Sequence, residues 1–211
     1  MKVLYITNSS RMEGGDSVAL INILENLIQD NVTPLVTCPN AGTFSDKLKQ
    51  MNIPFVVINN PLEIYPQIHS WKSYIKYPYS LLHLILKRYF AYKKLCSCIE
   101  KFKPDIIHTN VGPIHIGYIA AKKYGIPHVW HIREYQKEDF GMQPFPSMKV
   151  LRKRFHDNKN HCICITKSIF EHFGLDSVKD KVIYDGVIDT DKVKPINKNK
   201  KSYILFVGRL E

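Results

Sequence analysis

Apolar residues fall along this chain in two alternating rhythms. Short runs rich in β-branched residues are bounded by polar or glycine-containing turns, and between these runs apolar positions recur at three- and four-residue steps. The first stretch sets the pattern. Residues 2–7 are an apolar run, residues 8–15 are polar and end in Gly14-Gly15, and from Asp16 onward Val18, Leu20, Ile21, Leu24, Leu27 and Ile28 share one helical face. These read as strand, turn and helix, with Asp16 or Ser17 placed to cap the first helical turn.

The alternation continues downstream. Strands are predicted over residues 33–38, 54–58, 106–108, 128–132, 161–165 and 181–184, and helices over 44–51, 80–102, 116–124 and 149–157. Ser168 and Glu171 form a capping box on a further helix that stops at Gly174. Residues 59–69 and 136–147 lack a period and read as loops. Strands joined by helical crossovers imply an α/β fold, a Rossmann-like and mostly parallel sheet with helices on both faces. Residues 1–192 would form this domain. Residues 193–202 are a polar, lysine-rich linker, and residues 203–211 open a fresh strand, expected to be the first element of a second domain. Gly14-Gly15, Asn110 to Pro113, His131 to Glu134, residues 166–168 and Asp185-Gly186 each follow the carboxyl end of a predicted strand. Open α/β sheets bind ligands at that edge, so one cleft should gather them.

Composition narrows the setting. A chain of 211 residues with 45% hydrophobic content can bury a core, while no apolar run is long enough to span a bilayer or serve as a signal peptide, so a cytoplasmic location is expected. Five cysteines form an odd set, which points to buried free thiols rather than a disulfide framework. His161, Cys162 and Cys164 are the strongest metal-ligand grouping. Alternate residues on an apolar strand fit a core face better, and no metal is expected.

The formal net charge of +11 suggests nucleic acid, an acidic membrane surface or an anionic substrate as a partner. No nucleic-acid reader motif is present. Much of the charge is local: eight Lys or Arg residues and one acid, Glu100, lie between Lys72 and Lys103. On the 80–102 helix, Leu81, Ile85, Tyr89, Tyr92, Cys96 and Ile99 fall on one face, and Lys87, Lys94 and Lys101 fall opposite with Phe90. Two readings are open: a core-facing helix with a solvated basic back, or, with Tyr77 and Tyr79 near Phe90 and the lysines, a helix resting on an anionic membrane.

Two sites carry candidate chemistry. Gly14 and Gly15, just ahead of a helix, allow a ligand to approach the backbone N–H groups and so could cradle a phosphate; a plain tight turn would look the same. The dinucleotide and P-loop glycine fingerprints are both absent. His131 and Glu134, leaving a buried strand, could hold a sugar hydroxyl or a transferred group, or they could be a core histidine and a surface Arg133–Glu134 pair.

The order of these segments resembles a known family. The first strand with Gly14-Gly15, Pro104-Asp105-Ile106-Ile107-His108, His131-Ile132-Arg133-Glu134, Ile163 to Ser168, Val182 to Asp189 and Leu205 to Leu210 look like the N-terminal, acceptor-side domain of a glycosyltransferase family 4 enzyme of GT-B fold. Asp185 stands where that family's pattern has asparagine. The resemblance implies transfer of a sugar from a nucleotide-sugar to an acceptor hydroxyl with retention of configuration, with no metal and no cofactor beyond the donor substrate. It implies donor diphosphate contacts at Gly14 and Gly15, a contact of His131 with the donor sugar at the reacting carbon, and acceptor contacts at Asn110 and Glu134. A glycan or lipid-linked acceptor in surface polysaccharide or lipopolysaccharide synthesis would follow. A second domain would hold most nucleotide-binding residues, so the isolated chain is expected to be nearly inactive. The rival is a nucleotide-binding Rossmann-like module without transferase activity.

Overall fold

The computed structural model describes residues 1–186. It contains β1 (Lys2–Ile6), α1 (Gly15–Gln29), β2 (Thr33–Cys38), α2 (Thr43–Gln50), β3 (Phe55–Val57), α3 (Trp71–Phe102) and β4 (Ile106–Thr109). There follow α4 (Ile116–Tyr124), β5 (His128–Ile132), α5 (Lys137–Phe140), α6 (Met148–Phe155), β6 (Asn160–Cys164), α7 (Lys167–Phe173) and β7 (Lys181–Val182). The strands form one sheet in the order β3-β2-β1-β4-β5-β6-β7, and every pairing is parallel.

The two-residue period of each strand sends alternate side chains into different cores. Leu4 and Ile6 of β1 join Ile107, then Leu95 and Ile99 of α3 and Ala120 and Ala121 of α4. Val3 and Tyr5 point the other way, onto Leu20, Ile21 and Leu24 of α1 and Phe44 and Leu48 of α2. A third cluster gathers Trp130 and Ile132 of β5, Cys162 and Cys164 of β6, and Leu151, Phe155, Ile169 and Phe173 from α6 and α7. All five cysteines are buried free thiols, as their pattern predicted. His161 is exposed while Cys162 is buried beside it, so the strand pleat separates that grouping. Among the described residues no cluster of three or more His, Cys, Asp or Glu could hold a metal ion.

The strand order places a reversal at β1 and β4: the chain first winds outward through β2 and β3, then returns to pair β4 with β1. A crevice opens outside the carboxyl ends of strands at such a point. The loop after β1 and the loop after β4 flank it.

Several boundaries differ from the sequence reading. Helix α1 starts at Gly15 with Gly14 as its cap residue, and no side chain caps it; Asp16 and Ser17 lie inside its first turn. Ser17 instead folds back, its hydroxyl donating to the carbonyls of Arg11 (2.7 Å) and Gly14 (2.9 Å). Helix α7 is capped by Thr166, whose hydroxyl accepts from the Ile169 N–H, so Ser168 and Glu171 form no capping box there. The 136–147 segment includes the short helix α5. Helix α3 begins at Trp71, not Ser80, with Ser70 as its cap and Pro78 inside it. Its first half has no buried residue: Ile85 and Tyr89, expected on a packed face, are exposed, and buried positions begin only at Ala91. The predicted 193–202 linker and the 203–207 strand lie outside the described residues.

Candidate functional site

The loop after β1 is held by its own polar side chains. The Ser9 N–H donates to Thr7 Oγ1 at 3.1 Å, and the Ser9 hydroxyl donates to the Asp16 carboxylate, fixing that acid in the first turn of α1. Asp16 there complements the positive end of the helix dipole. The close approach of Gly42 to the Ser10 carbonyl leaves no room for a Cβ, so the loop is seated against the start of α2. The result is an uncapped α1 N-terminus facing a cleft of about 350 Å³, lined by Ser9, Arg11, Gly14 and Asp16 on one wall and by Leu62, Val111, Pro113, Glu134 and Met142 on the other.

Gly15 is exposed, and a Cβ there would meet nothing within 4 Å, so no neighbouring atom crowds this edge of the helix N-terminus. Backbone N–H groups at a helix N-terminus are donors suited to an anion; Arg11 lines the same cleft, and the Asp16 carboxylate beside them is the opposing charge. Glu134 supplies the opposite chemistry. Its Oε1 accepts from the Gly112 N–H at 2.9 Å, and burial pushes its carboxyl up to about 7. The Gly112 hydrogen bond and the Arg133 charge act against that rise, while Asp16 across the cleft adds to it. A Cβ on Gly112 would lie 2.7 Å from both Glu134 Oε1 and Gln136 Nε2, so this glycine is what lets the carboxyl reach the backbone.

Behind the cleft lies a buried polar layer. Asn110 is fully buried; its Nδ2 donates to the Asp16 carbonyl at 3.2 Å, and its Oδ1 accepts from Arg133 Nη2 at 3.3 Å. Arg133 is ion-paired with Asp185, and Asn22 of α1 donates to the Gly186 carbonyl at 3.3 Å. The chain leaving β7 is thus tied to both α1 and the β5 exit. Asp185, where the resemblance led one to expect asparagine, gives the buried Arg133 guanidinium a counter-charge.

His131 sits in the same layer at 2% exposure. Arg133 Nη2 donates to its Nδ1 at 3.4 Å, which places the proton on Nε2, and Nε2 has no partner among the described residues. Burial, with the charges of Arg133 and His108, pushes its pKa down to about 2. It is therefore a neutral hydrogen-bond donor at physiological pH, not a base. Tyr5, His108 and His131 form a row of rings with centroids 5.1 and 5.7 Å apart.

Of the residues singled out by sequence, Gly14 and Glu134 line the cleft, Gly15 opens its helix edge, and Asn110 and His131 are buried behind it. Sequence reasoning did not single out Ser9 or Arg11, although both lie in the polar turn after the first strand, and it took Asp16 only for a helix cap. It also missed Glu63, which is fully buried in the 59–69 segment. Its carboxylate accepts from Arg88 Nε of α3 at 2.5 Å and from the His115 N–H at 2.8 Å, while Arg154 of α6 donates to His115 Nδ1 at 2.6 Å. Glu63 fastens the apolar wall around Leu62 and Pro113 to two helices, and its own N–H donates to the Pro113 carbonyl.

The model of the family described as Glycosyltransferase Family 4 matches residues 14–191. The chain belongs to glycosyltransferase family 4. Its fold is that of the N-terminal domain of GT-B glycosyltransferases, as solved structures agree. HepE from Anabaena, solved with UDP-glucose, is 21% identical with a TM-score of 0.62, the match covering 88% of this chain and 44% of HepE. MurG from Acinetobacter baumannii is 15% identical with a TM-score of 0.53, covering 88% and 46%. A UDP-N-acetylglucosamine 2-epimerase is 15% identical with a TM-score of 0.56, covering 85% and 47%. At these identities the likeness is one of fold. This family 4 chain spans less than half the length of each. No curated protein sequence matches significantly.

Proposed function

We propose that the full-length protein transfers a sugar from a nucleotide-sugar to an acceptor hydroxyl, with retention of configuration, in surface polysaccharide or lipopolysaccharide synthesis at the cytoplasmic face. The observation that carries this reading is the convergence, in a family 4 domain, of an uncapped helix N-terminus and a buried carboxyl on one cleft at the sheet's switch point. The Gly14-Gly15 edge and Arg11 would stabilise the departing diphosphate, the charge that grows in the transition state. The Nε2–H of His131 would donate to the transferred sugar, and Glu134 would accept from an acceptor hydroxyl. Asn110 would act on the acceptor side by holding Asp16 and Arg133 in place. Pro113, Leu62 and Met142 give the acceptor wall an apolar patch, which suits a glycan carried on a lipid.

Under this reading residues 1–192 are the acceptor domain, 193–202 the linker and 203–211 the opening of a donor domain, so this chain alone would transfer little sugar. HepE's complex with UDP-glucose makes that donor the first to try. The experiment is transfer of labelled sugar by the full-length protein from a panel of nucleotide-sugars, with the product anomer read by NMR and His131→Ala in parallel. A retained anomer, and a turnover loss in the variant far larger than its loss of stability, are expected. Equal losses would return His131 to a structural role. Tight nucleotide binding without transfer would favour the Rossmann-like binding module.

A further inference from the structure

Helix α3 holds 32 residues, which at 1.5 Å per residue is about 48 Å, and its N-terminal part has little to pack on. Trp71, Tyr74, Ile75, Tyr79, Leu82, Ile85, Leu86, Tyr89 and Phe90 are all exposed, Trp71 at 71% and Tyr79 at 73%. At 100° per residue they fill one continuous arc of roughly 160°. Ile68, just ahead of the helix, adds to the same end. An exposed apolar surface of this extent marks an interaction site.

The charges around the arc have one sign. Between Glu63 and Glu100 the sequence contains no acid at all. Arg88 is paired inward with Glu63, whereas Lys72, Lys76, Lys87, Lys93 and Lys94 have no ion-pair partner among the described residues. Lys72 and Lys93 lie over the rings of Trp71 and Tyr89, at 5.8 and 5.9 Å from their centroids. The cations therefore edge the apolar arc itself. A second copy of this chain would bring the same lysines, and another +11 of charge, against them. An acidic lipid surface satisfies both features at once: phosphates for the lysines, the headgroup boundary for the Trp and Tyr tips, and acyl chains for Leu82, Leu86 and Phe90. No helix among the described residues is long and apolar enough to cross a membrane, so α3 would lie in the interface plane.

We propose that the Trp71–Phe90 part of α3 docks the protein onto bilayers containing anionic lipid. The contact shifts from the Lys87, Lys94 and Lys101 face expected from sequence: Lys101 lies at the sheet-packed end of the helix, and the docking arc runs from Trp71 to Phe90. Glu63 joins this helix to the cleft wall through Arg88. The docking stands independently of the transfer reaction, since nothing in it depends on a donor or acceptor.

The protein carries two tryptophans, and Trp130 is fully buried, so Trp71 alone can report insertion. The test is co-sedimentation and tryptophan fluorescence of the 211-residue protein with phosphatidylcholine vesicles, with and without about one-third phosphatidylglycerol. Binding and a blue shift with the anionic vesicles are expected. Trp71→Phe should abolish the shift while the protein still sediments. Lys72→Gln with Lys76→Gln should lower the partition coefficient roughly 10- to 30-fold, an effect that high salt reproduces. Leu82→Ser with Leu86→Ser should release the protein; both positions are exposed, and circular dichroism verifies the fold. A wild-type protein that stays in the supernatant would overturn the proposal, as would binding indifferent to lipid charge or to these substitutions. So would concentration-dependent self-association through this face without vesicle binding.

Discussion

Lowering the pH from 7.5 to 5.5 should cost this domain a large part of its stability, because four histidines are buried in the neutral state. His108 and His115 are pushed down to about 3, His128 to about 4 and His131 to about 2, in each case first by burial. In the unfolded chain each titrates near 6.5. The folded state refuses a proton that the unfolded state accepts, so the stability is fully present above pH 6.5 and is lost as pH falls toward the folded values. One unit below 6.5, each histidine forfeits about 1.4 kcal/mol, or roughly 5 kcal/mol for the four. Glu134 works the other way. Its pKa, raised to about 7, makes the folded state bind a proton more tightly between pH 7 and 4.5, returning about 2 kcal/mol over the same interval. Glu63, also raised by burial, acts in Glu134's direction, so the net loss is at most about 4 kcal/mol. Urea denaturation at the two pH values measures it, and the midpoint should fall by on the order of 1 M or more. His131→Asn should remove about 1.4 kcal/mol of the difference. Equal midpoints at pH 7.5 and 5.5 would refute the reasoning, since the native histidines would then be charged or hydrated.

Other consequences are more local. Glu63→Gln leaves Arg88 and Arg154 without their anion and should destabilise the fold by about 3 kcal/mol, the lower end for a buried pair because Arg88 is partly exposed; thermal unfolding checks it. In the full-length enzyme, Glu134→Gln keeps an acceptor for the Gly112 N–H but removes a titration, so a limb near pH 7 in the rate profile should disappear while the fold persists. An unchanged profile would separate Glu134 from the reaction. Gly112→Ala should displace the Glu134 carboxyl and raise the acceptor KM about tenfold or more, with the donor KM unaffected.

The β-branched runs and the helical periods carried the alternation of strands and helices, because each element buries one face or stripe that sequence spacing reports directly. The cleft was legible in part for the same reason: Gly14 and Glu134 follow strand ends that the topology brings together, whereas residues 166–168 and Asp185-Gly186, expected in the same cleft, do not line it. What escaped lay where no period operates. Glu63 is an acid in an aperiodic loop, buried only because Arg88, His115 and Arg154 arrive from distant parts of the chain. The first turns of α3 were missed because Pro78 interrupts the pattern and the apolar residues there face outward. Thr166 displaced Ser168 as a cap because the strand before it ends at Cys164, one residue before its predicted end, and the helix starts already at Lys167.

The central claim is that the α1 N-terminus receives the anionic part of a sugar donor. Gly15→Leu tests it most directly, because a Cβ there meets no protein atom within 4 Å and the helix should tolerate the substitution. Transfer from the donor by the full-length variant, measured beside its melting temperature, should fall at least about tenfold while the melting temperature stays the same or rises slightly. Undiminished transfer by a well-folded Gly15→Leu enzyme would contradict the account.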